Sequence, residues 1–439
     1  MKILDGTLSD HSVNIGIFGY GTVGSGVGKL LLENQKSIEM KAGARIRTKA
    51  VAIKNPDKKR LYLDPSTVIT TDPDCILKDP EIEVVLELMG GISPAKEYIL
   101  EAMARGKHVI TANKELMANY GKGLLETAAE RKVDLYFEAS VGGGIPIIHP
   151  LKESLAGNKI KKIIGIVNGT TNYILTRMSQ EGMSLKEALG EAQQLGYAEA
   201  DPRADLEGLD AAAKLAILSS IAFNARVVHK DVYVEGIMGI SPIDIRYARE
   251  LGYTIKLLAI SEDGEEGIMV RVHPTMVPSN HVLASVGDAY NAIYVVGEPV
   301  GDLMFYGRGA GSGPTASSVV GDLIDVLRNM STDKSGRIRC TCFESKKILP
   351  IDEVESRYYI VMDVVDKPGV LAQIAGVFGR NVVSIESVIQ KQREGRTDLV
   401  FILHQVKEKH VARAIQELHD LEVVNKVLNC VRVEGPFIE

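Results

Sequence analysis

Cysteine is scarce: only Cys75, Cys340, Cys342 and Cys430 occur in 439 residues, unevenly placed. That argues against a disulfide framework. Cys340 and Cys342 stand one residue apart with no second pair beside them, so no zinc site is expected there. Long apolar runs are missing as well. The longest, AAAKLAILSSIAF at 211–223, carries Lys214 and two serines and falls short of the ~20 residues that cross a bilayer. The first residues, MKILDGTLSDHS, lack the apolar core of a secretory signal. A cytoplasmic protein without a membrane partner is therefore expected. Positive charge is not in excess: 51 Lys and Arg stand against 57 Asp and Glu, a net −6, with no basic stripe between aromatics. Nucleic acid is thus not an expected partner. No internal repeat is visible.

What remains is a chain of 45% hydrophobic and 25% charged residues, the balance of a soluble globular protein. Its length exceeds one ordinary core and predicts about two or three domains. Residues 13–135 alternate short apolar runs (VNIGIF, KAVAIK, VVLEL, HVITA, VDLYFEAS) with helical periods, near 94–105 and 121–131 among them. Such alternation predicts a Rossmann-type, doubly wound parallel sheet. A glycine- and proline-rich joint, VGGGIPIIHP, follows. Beyond it, Ser184 and Glu187 have capping-box spacing, and KKIIGIVN, IMVRVHPTMV and AIYVVGE read as strands of a second sheet. After the polar stretch 331–340, the order strand–helix–strand–strand–helix–strand matches a split ferredoxin-like motif. The expected α/β architecture is a dinucleotide-binding domain at 1–138, a mixed α+β catalytic and dimerisation domain at 139–330, a linker at 331–350 and a small C-terminal domain at 351–439. The helix at about 314–330 is one that could pack back on the first domain.

The first strand ends at Phe18 and runs into Gly19-Tyr20-Gly21-Thr22-Val23-Gly24, which opens a helix. In that context Gly19 allows the tight turn, Gly21 the approach of a pyrophosphate, and Gly24 close helix–sheet packing. The helix N-terminus supplies N–H donors and partial positive charge. A merely tight turn is the alternative. The second strand ends at Lys54, with Lys58, Lys59 and Arg60 beyond, where an acid would have held a free 2′-hydroxyl. That favours NADP(H), with NAD(H) as the alternative and a solvated surface lysine as the plain reading. Gly90, at the end of an apolar strand, and Gly311, before a helix, are further candidates to face the cofactor, or only tight connections.

Between 196 and 214, Glu199, Asp201 and Asp205 precede a helix in which Asp210 and Lys214 stand four residues apart. A carboxylate–ammonium pair in this order is favoured on one helical face. Hydride reduction of a carbonyl creates an alkoxide that needs a proton donor, which a tuned lysine can be. A structural salt bridge is the plain alternative. Lys114, in Thr111-Ala112-Asn113-Lys114, is expected at the carboxyl edge of the cofactor sheet, or else as an exposed loop cap.

Taken together, the Ala192–Lys214 stretch (Gly-Tyr-Ala, Asp-Pro, Asp-Leu, Gly, Asp and the final Lys), the glycine turn, TANK, Asn168-Gly169-Thr170-Thr171-Asn172 and RGAGSGPTA resemble the homoserine dehydrogenase family over essentially the whole chain. The resemblance implies reversible reduction of L-aspartate 4-semialdehyde to L-homoserine, on the route to threonine and methionine. It implies Lys214 as proton donor, Asp210 orienting it, Glu199 on the substrate amine, Asp205 holding substrate or water, and Lys114 contacting substrate and nicotinamide. It also implies a monovalent cation such as sodium, held mainly by backbone carbonyls at Glu138, Val141, Gly143 and Ile145. The last ~80 residues resemble an ACT domain, a fold of ferredoxin-like type. Asp366, Gly369, Val370 and Leu371 correspond to its ligand loop, and Asn381 follows. Threonine feedback is the implied regulation, with assembly alone as the alternative. The implied protein is a homo-oligomer, dimer or tetramer. An acyl-enzyme semialdehyde dehydrogenase would need an activated cysteine, and a non-catalytic sensor would have no use for the Glu199–Asp210–Lys214 set.

Overall fold

The computed structural model describes residues 12–332, 340–393 and 395–435. Most of the polar stretch expected as a linker, 333–339, lies outside the described residues. Two compact units form, and neither is a single run of chain. One draws on residues within 1–160, 216–229 and 296–345, the other on 161–215, 230–295 and 346–439.

In the first unit, β1 (Ser12–Phe18), β2 (Arg45–Ala52), β3 (Val68–Thr70), β4 (Ile82–Glu87), β5 (His108–Thr111) and β6 (Leu135–Tyr136) form one sheet in the order β3-β2-β1-β4-β5-β6. Every pairing is parallel. This is the doubly wound order of dinucleotide-binding proteins, with its crevice between β1 and β4. A sheet buried on both faces demands unbroken apolar runs. Ile15, Ile17 and Phe18 of β1, and Val84, Val85 and Leu86 of β4, are indeed buried.

Helix Ser312–Ser331 completes this unit. Its Ala316, Val319, Val320, Leu323, Val326 and Leu327 join the core that holds Ile15, Ile17, Val27 and Val51. Contact with helix Thr22–Glu33 is very close: a Cβ at Gly26 would meet the Ser312 carbonyl oxygen at 2.4 Å. Helix Lys114–Arg131 begins seven residues before the 121–131 period, because Asn113 caps it by accepting from the Leu116 N–H at 3.1 Å. Capping chemistry, more than apolar period, sets that boundary.

In the second unit, Tyr253–Gly264 and Gly267–Pro278 make a long antiparallel pair, and Lys159–Ile166 adds to the outer side of the first. Ser184 and Glu187 form the expected capping box. The C-terminal segment is strand Glu355–Val364, helix Val370–Arg380, strands Ile385–Arg393 and Arg396–Lys407, helix Glu408–His419 and strand Val424–Val433, the predicted order. Its core packs Phe378 edge-on to Phe401, 5.3 Å between centroids. The last strand also pairs in parallel with Gly267–Pro278, through Thr275↔Arg432 and Met276↔Val433. Buried Arg432 ties the junction, donating to both Glu408 oxygens at 2.9 and 2.7 Å and to Glu235 at 2.8 Å.

One residue here is strained. Val382 has φ of 59°, a left-handed conformation that a β-branched side chain resists, and it is 75% exposed. Val382→Gly is therefore expected to raise stability by about 1 kcal/mol, the relief of strain being partly offset by glycine's entropy. Chemical denaturation measures it, and a lower midpoint at unchanged m would contradict the strain.

Candidate functional site

The glycine turn closes β1 of the first unit. Gly19 has φ of +87°, and a Cβ there would meet the Leu88 carbonyl oxygen at 2.8 Å; one at Gly24 would meet the Gly19 oxygen at 2.7 Å. Both positions are closed by backbone. Gly21 is the opposite case, with nothing within 4 Å of its absent Cβ. It precedes helix Thr22–Glu33, which has no side-chain cap and no acid in its first turn. Backbone donors facing open space without a competing carboxylate suit a pyrophosphate. Phe18 is buried beneath the turn, and Thr22 and Val23 begin the helix. Lys54, with Lys58 and Lys59, is exposed just past β2.

Glu87, wholly buried at the end of β4, organises the neighbouring loop. Its carboxylate accepts from Met89 N–H (2.8 Å), Gly90 N–H (3.3 Å) and the Thr111 hydroxyl (2.7 Å). Gly90 and Gly91 both take positive φ. Asn113 then donates to the Gly91 oxygen at 2.5 Å while capping the helix that Lys114 opens. Lys114 therefore stands at the carboxyl end of β5. Gly311, at φ +122°, caps helix Ser312–Ser331, and the Ser312 hydroxyl donates to the Thr22 oxygen at 2.8 Å.

Glu138, Val141, Gly143 and Ile145 lie on the chain after β6; Glu138, Val141 and Ile145 are buried. The Glu138 carboxylate is taken by the N–H groups of Ile147, Ile148 and His149 at 2.6, 2.8 and 2.7 Å. The Gly143 carbonyl already accepts from the Ser318 hydroxyl at 2.6 Å and the Glu138 carbonyl from the Val141 N–H at 3.4 Å; the second lone pair of a carbonyl oxygen suits a hard cation and not a soft one. Among the described residues no group of three or more His, Cys, Asp or Glu could hold a metal.

Helix Leu209–Ala222, whose residues up to Leu215 belong to the second unit, carries Asp210 and Lys214 there, 7% and 8% exposed. Lys214 Nζ donates to Asp210 Oδ2 and to the Val167 carbonyl, both at 2.7 Å. Asn168 completes the arrangement. Its Nδ2 donates to Asp205 Oδ1 at 2.6 Å and to Asp210 Oδ2 at 2.8 Å. Its Oδ1 accepts from the Thr171 N–H at 2.9 Å and so caps helix Gly169–Glu181. One amide thus joins two carboxylates, and one of those holds the ammonium. The spacing of 205, 210 and 214 pointed to this chain, but Asn168 as its bridge was not legible. An asparagine ahead of Gly-Thr-Thr signals a helix cap; nothing local tells that its other end meets acids 37 and 42 residues away. Glu199 takes no part in the chain; it is exposed on the preceding turn, where its carbonyl accepts from Gln193 Nε2 at 3.1 Å. Asp201 is held by Arg203, whose hydrogen bonds push its carboxyl down to about 2.

In the C-terminal segment Gly369, at φ +87°, caps helix Val370–Arg380, with Val370 buried and Leu371 43% exposed. Asp366 accepts from Gln392 at 2.8 Å. Asn381 lies at the other end of that 11-residue helix, about 16 Å along its axis. Its amide donates to Val377 O at 3.1 Å and Glu417 Oε1 at 2.9 Å. Within one chain, Asn381 and the glycine loop are separate places.

Residues 19–138 match the family model "Homoserine dehydrogenase, NAD binding domain", 146–324 match "Homoserine dehydrogenase", and 358–423 match "ACT domain". The chain is 46% identical over 433 residues to the homoserine dehydrogenase of Synechocystis sp., covering 96% of this chain and 99% of that one. It is similar to the crystal structure of a homoserine dehydrogenase from Thiobacillus denitrificans, with TM-score 0.93, 42% identity, and 98% and 100% of the two chains covered. A hyperthermophilic archaeal homoserine dehydrogenase mutant in complex with NADPH is more distant, with TM-score 0.61, 28% identity, and 72% and 97% covered.

Removing the bridging amide should cost stability. Asn168→Ala is expected to lose about 1–2 kcal/mol, from the cap and from carboxylates left without their donor. Asn168→Asp keeps a cap but crowds three carboxylates, so its loss should be greatest near neutral pH and shrink on acidification. Thermal melts from pH 7 to 5 measure both, and a pH-independent deficit in Asn168→Asp would remove the amide bridge as the cause.

Proposed function

The chain belongs to the homoserine dehydrogenase family, nicotinamide-dependent oxidoreductases acting on a CH–OH group, and from that premise we propose that it interconverts L-aspartate 4-semialdehyde and L-homoserine in threonine and methionine biosynthesis. The observation that carries the proposal is the buried Lys214–Asp210 pair with its Asn168 bridge. Bound nicotinamide supplies the hydride, or takes it in the reverse direction. Lys214 gives the proton to the developing alkoxide, and Asp210 fixes the ammonium so that its N–H vector is set before reaction. Asp205, tied to the same amide, holds substrate or water. Glu199, exposed and acidic, receives the substrate ammonium, and Lys114 contacts substrate and nicotinamide.

The open turn at Gly21 supports a dinucleotide with its pyrophosphate on the helix N-terminus. Lys54 supports NADP(H) over NAD(H), since a cation can pair with a 2′-phosphate. The carbonyl-rich segment of Glu138, Val141, Gly143 and Ile145 would hold a monovalent cation such as sodium as structural support. Asp366, Gly369, Val370, Leu371 and Asn381 would form the binding region for an amino-acid effector, threonine. The separation of Asn381 from the loop favours a site built from more than one copy, consistent with a homo-oligomeric dimer or tetramer. We place the enzyme in the cytoplasm; among the described residues no helix is long and apolar enough to cross a membrane.

Purified protein should oxidise NADPH when given aspartate semialdehyde, without phosphate. Lys214→Ala should lose at least ~10²-fold in kcat while still binding NADPH by fluorescence titration; unchanged kcat would eliminate the donor. Threonine should inhibit the wild type, and Asp366→Ala should shift the midpoint upward about tenfold. Coincident inhibition curves would take that loop out of the response.

A further inference from the structure

Cys340 and Cys342 have no task in the reaction above, yet the fold gives them a built setting. Both line a small pocket of the first unit with Met117, Phe137, Lys152, Ser220 and Arg226. Both are partly exposed free thiols. Cys342 Sγ sits 3.9 Å from the Ser220 carbonyl oxygen, and Lys152 Nζ lies 5.4 Å from the centroid of the Phe137 ring. The neighbouring Cys342, and secondarily its backbone N–H and the Lys152 charge, hold Cys340 below the usual thiol range, while proximity to Cys340 and burial push Cys342 up. In such a pair the first proton leaves easily and the second is retained. Burial pushes Lys152 down to about 8, so part of it is neutral amine near neutral pH.

We propose that Cys340 and Cys342 form a thiol–disulfide exchange site for small-molecule disulfides, with Cys340 as the attacking thiolate and Cys342 as the resolving thiol. The Cys340 thiolate attacks one sulfur of R–S–S–R. That bond breaks, RS⁻ leaves and takes a proton from water, and a mixed disulfide remains on Cys340. Bonding to R–S removes the negative charge that had held the Cys342 proton. Cys342 then passes this proton to the Lys152 amine, its sulfur attacks Cys340 Sγ, and the second RS⁻ departs to be protonated. The pair, starting as one thiolate and one thiol, gives up two electrons and one proton; that proton, carried by Lys152, and one from water complete two RSH beside the Cys340–Cys342 disulfide. The remaining cysteines lack this setting. Cys75 is exposed and lies away from the pocket, and burial pushes the Cys430 thiol up to about 12.

The test uses the full chain with Cys75→Ser, incubated with glutathione disulfide, quenched in acid, alkylated and mapped by peptide mass. The expected product is a peptide spanning both cysteines that is lighter by two hydrogens and restored by dithiothreitol. With Cys342→Ser the reaction should stop at glutathione on Cys340. With Cys340→Ser, Cys342 should react at least about tenfold more slowly than Cys340 does in the companion variant. The proposal is overturned if both cysteines of the parent stay fully alkylatable, or if the two single variants react at equal rates.

Discussion

A buried ammonium, on a helix apolar but for its partner Asp210 and two serines, is the constraint on which the second unit turns. Burying the Lys214 charge alone would cost several kcal/mol, and the cost is met by Asp210 and the Val167 carbonyl, each at 2.7 Å. Those partners must be held in their turn. Asp210 shares the Asn168 amide with Asp205, and Asn168 is also the cap of the next helix. Helix start, loop carboxylate and ammonium therefore occupy one connected set of hydrogen bonds. A change at any member reaches the others, as expected of low-dielectric networks. Chemistry that needs a proton at a fixed place is well served by such a network, because its members need not reorganise when charge develops.

The first unit solves a related problem with backbone instead of charge. Gly21 leaves open space ahead of helix Thr22–Glu33, whereas at Gly19 and Gly24 backbone approaches too closely to admit a Cβ. The adjacent loop is shaped from below by Glu87, whose buried carboxylate accepts two backbone N–H groups and the Thr111 hydroxyl. Both units thus use a buried carboxylate to fix a neighbouring group. In one the carboxylate orients a side chain, in the other a run of backbone.

Much of this could be read along the chain. The parallel sheet followed from unbroken apolar runs joined by helices, and the C-terminal βαββαβ order from alternation alone. The Asp210–Lys214 pair followed from its four-residue spacing. What escaped reading depends on distance in sequence. Asn168 meets Asp205 and Asp210 only after folding, and Arg432 joins Glu235 across 197 residues. The start of helix Lys114–Arg131 was obscured by a first turn whose capping, not its apolar period, defines it. Nor does any local pattern divide the chain into two interleaved units, because a chain that leaves a core and returns writes no mark at its crossing points.

Helix Ser312–Ser331 carries a consequence for how the protein is made. It seals the core beside helix Thr22–Glu33, and its Ser312 bonds Thr22 across 290 residues. During synthesis at about 5–20 residues per second, that seal arrives roughly 15–60 s after the glycine turn has left the ribosome. Until then the nascent nucleotide-binding sheet stands with one apolar flank, around Val27 and Ile15, bare to water. The interval is long enough for a chaperone to bind there, and the same flank is where premature release of the chain would lead to aggregation.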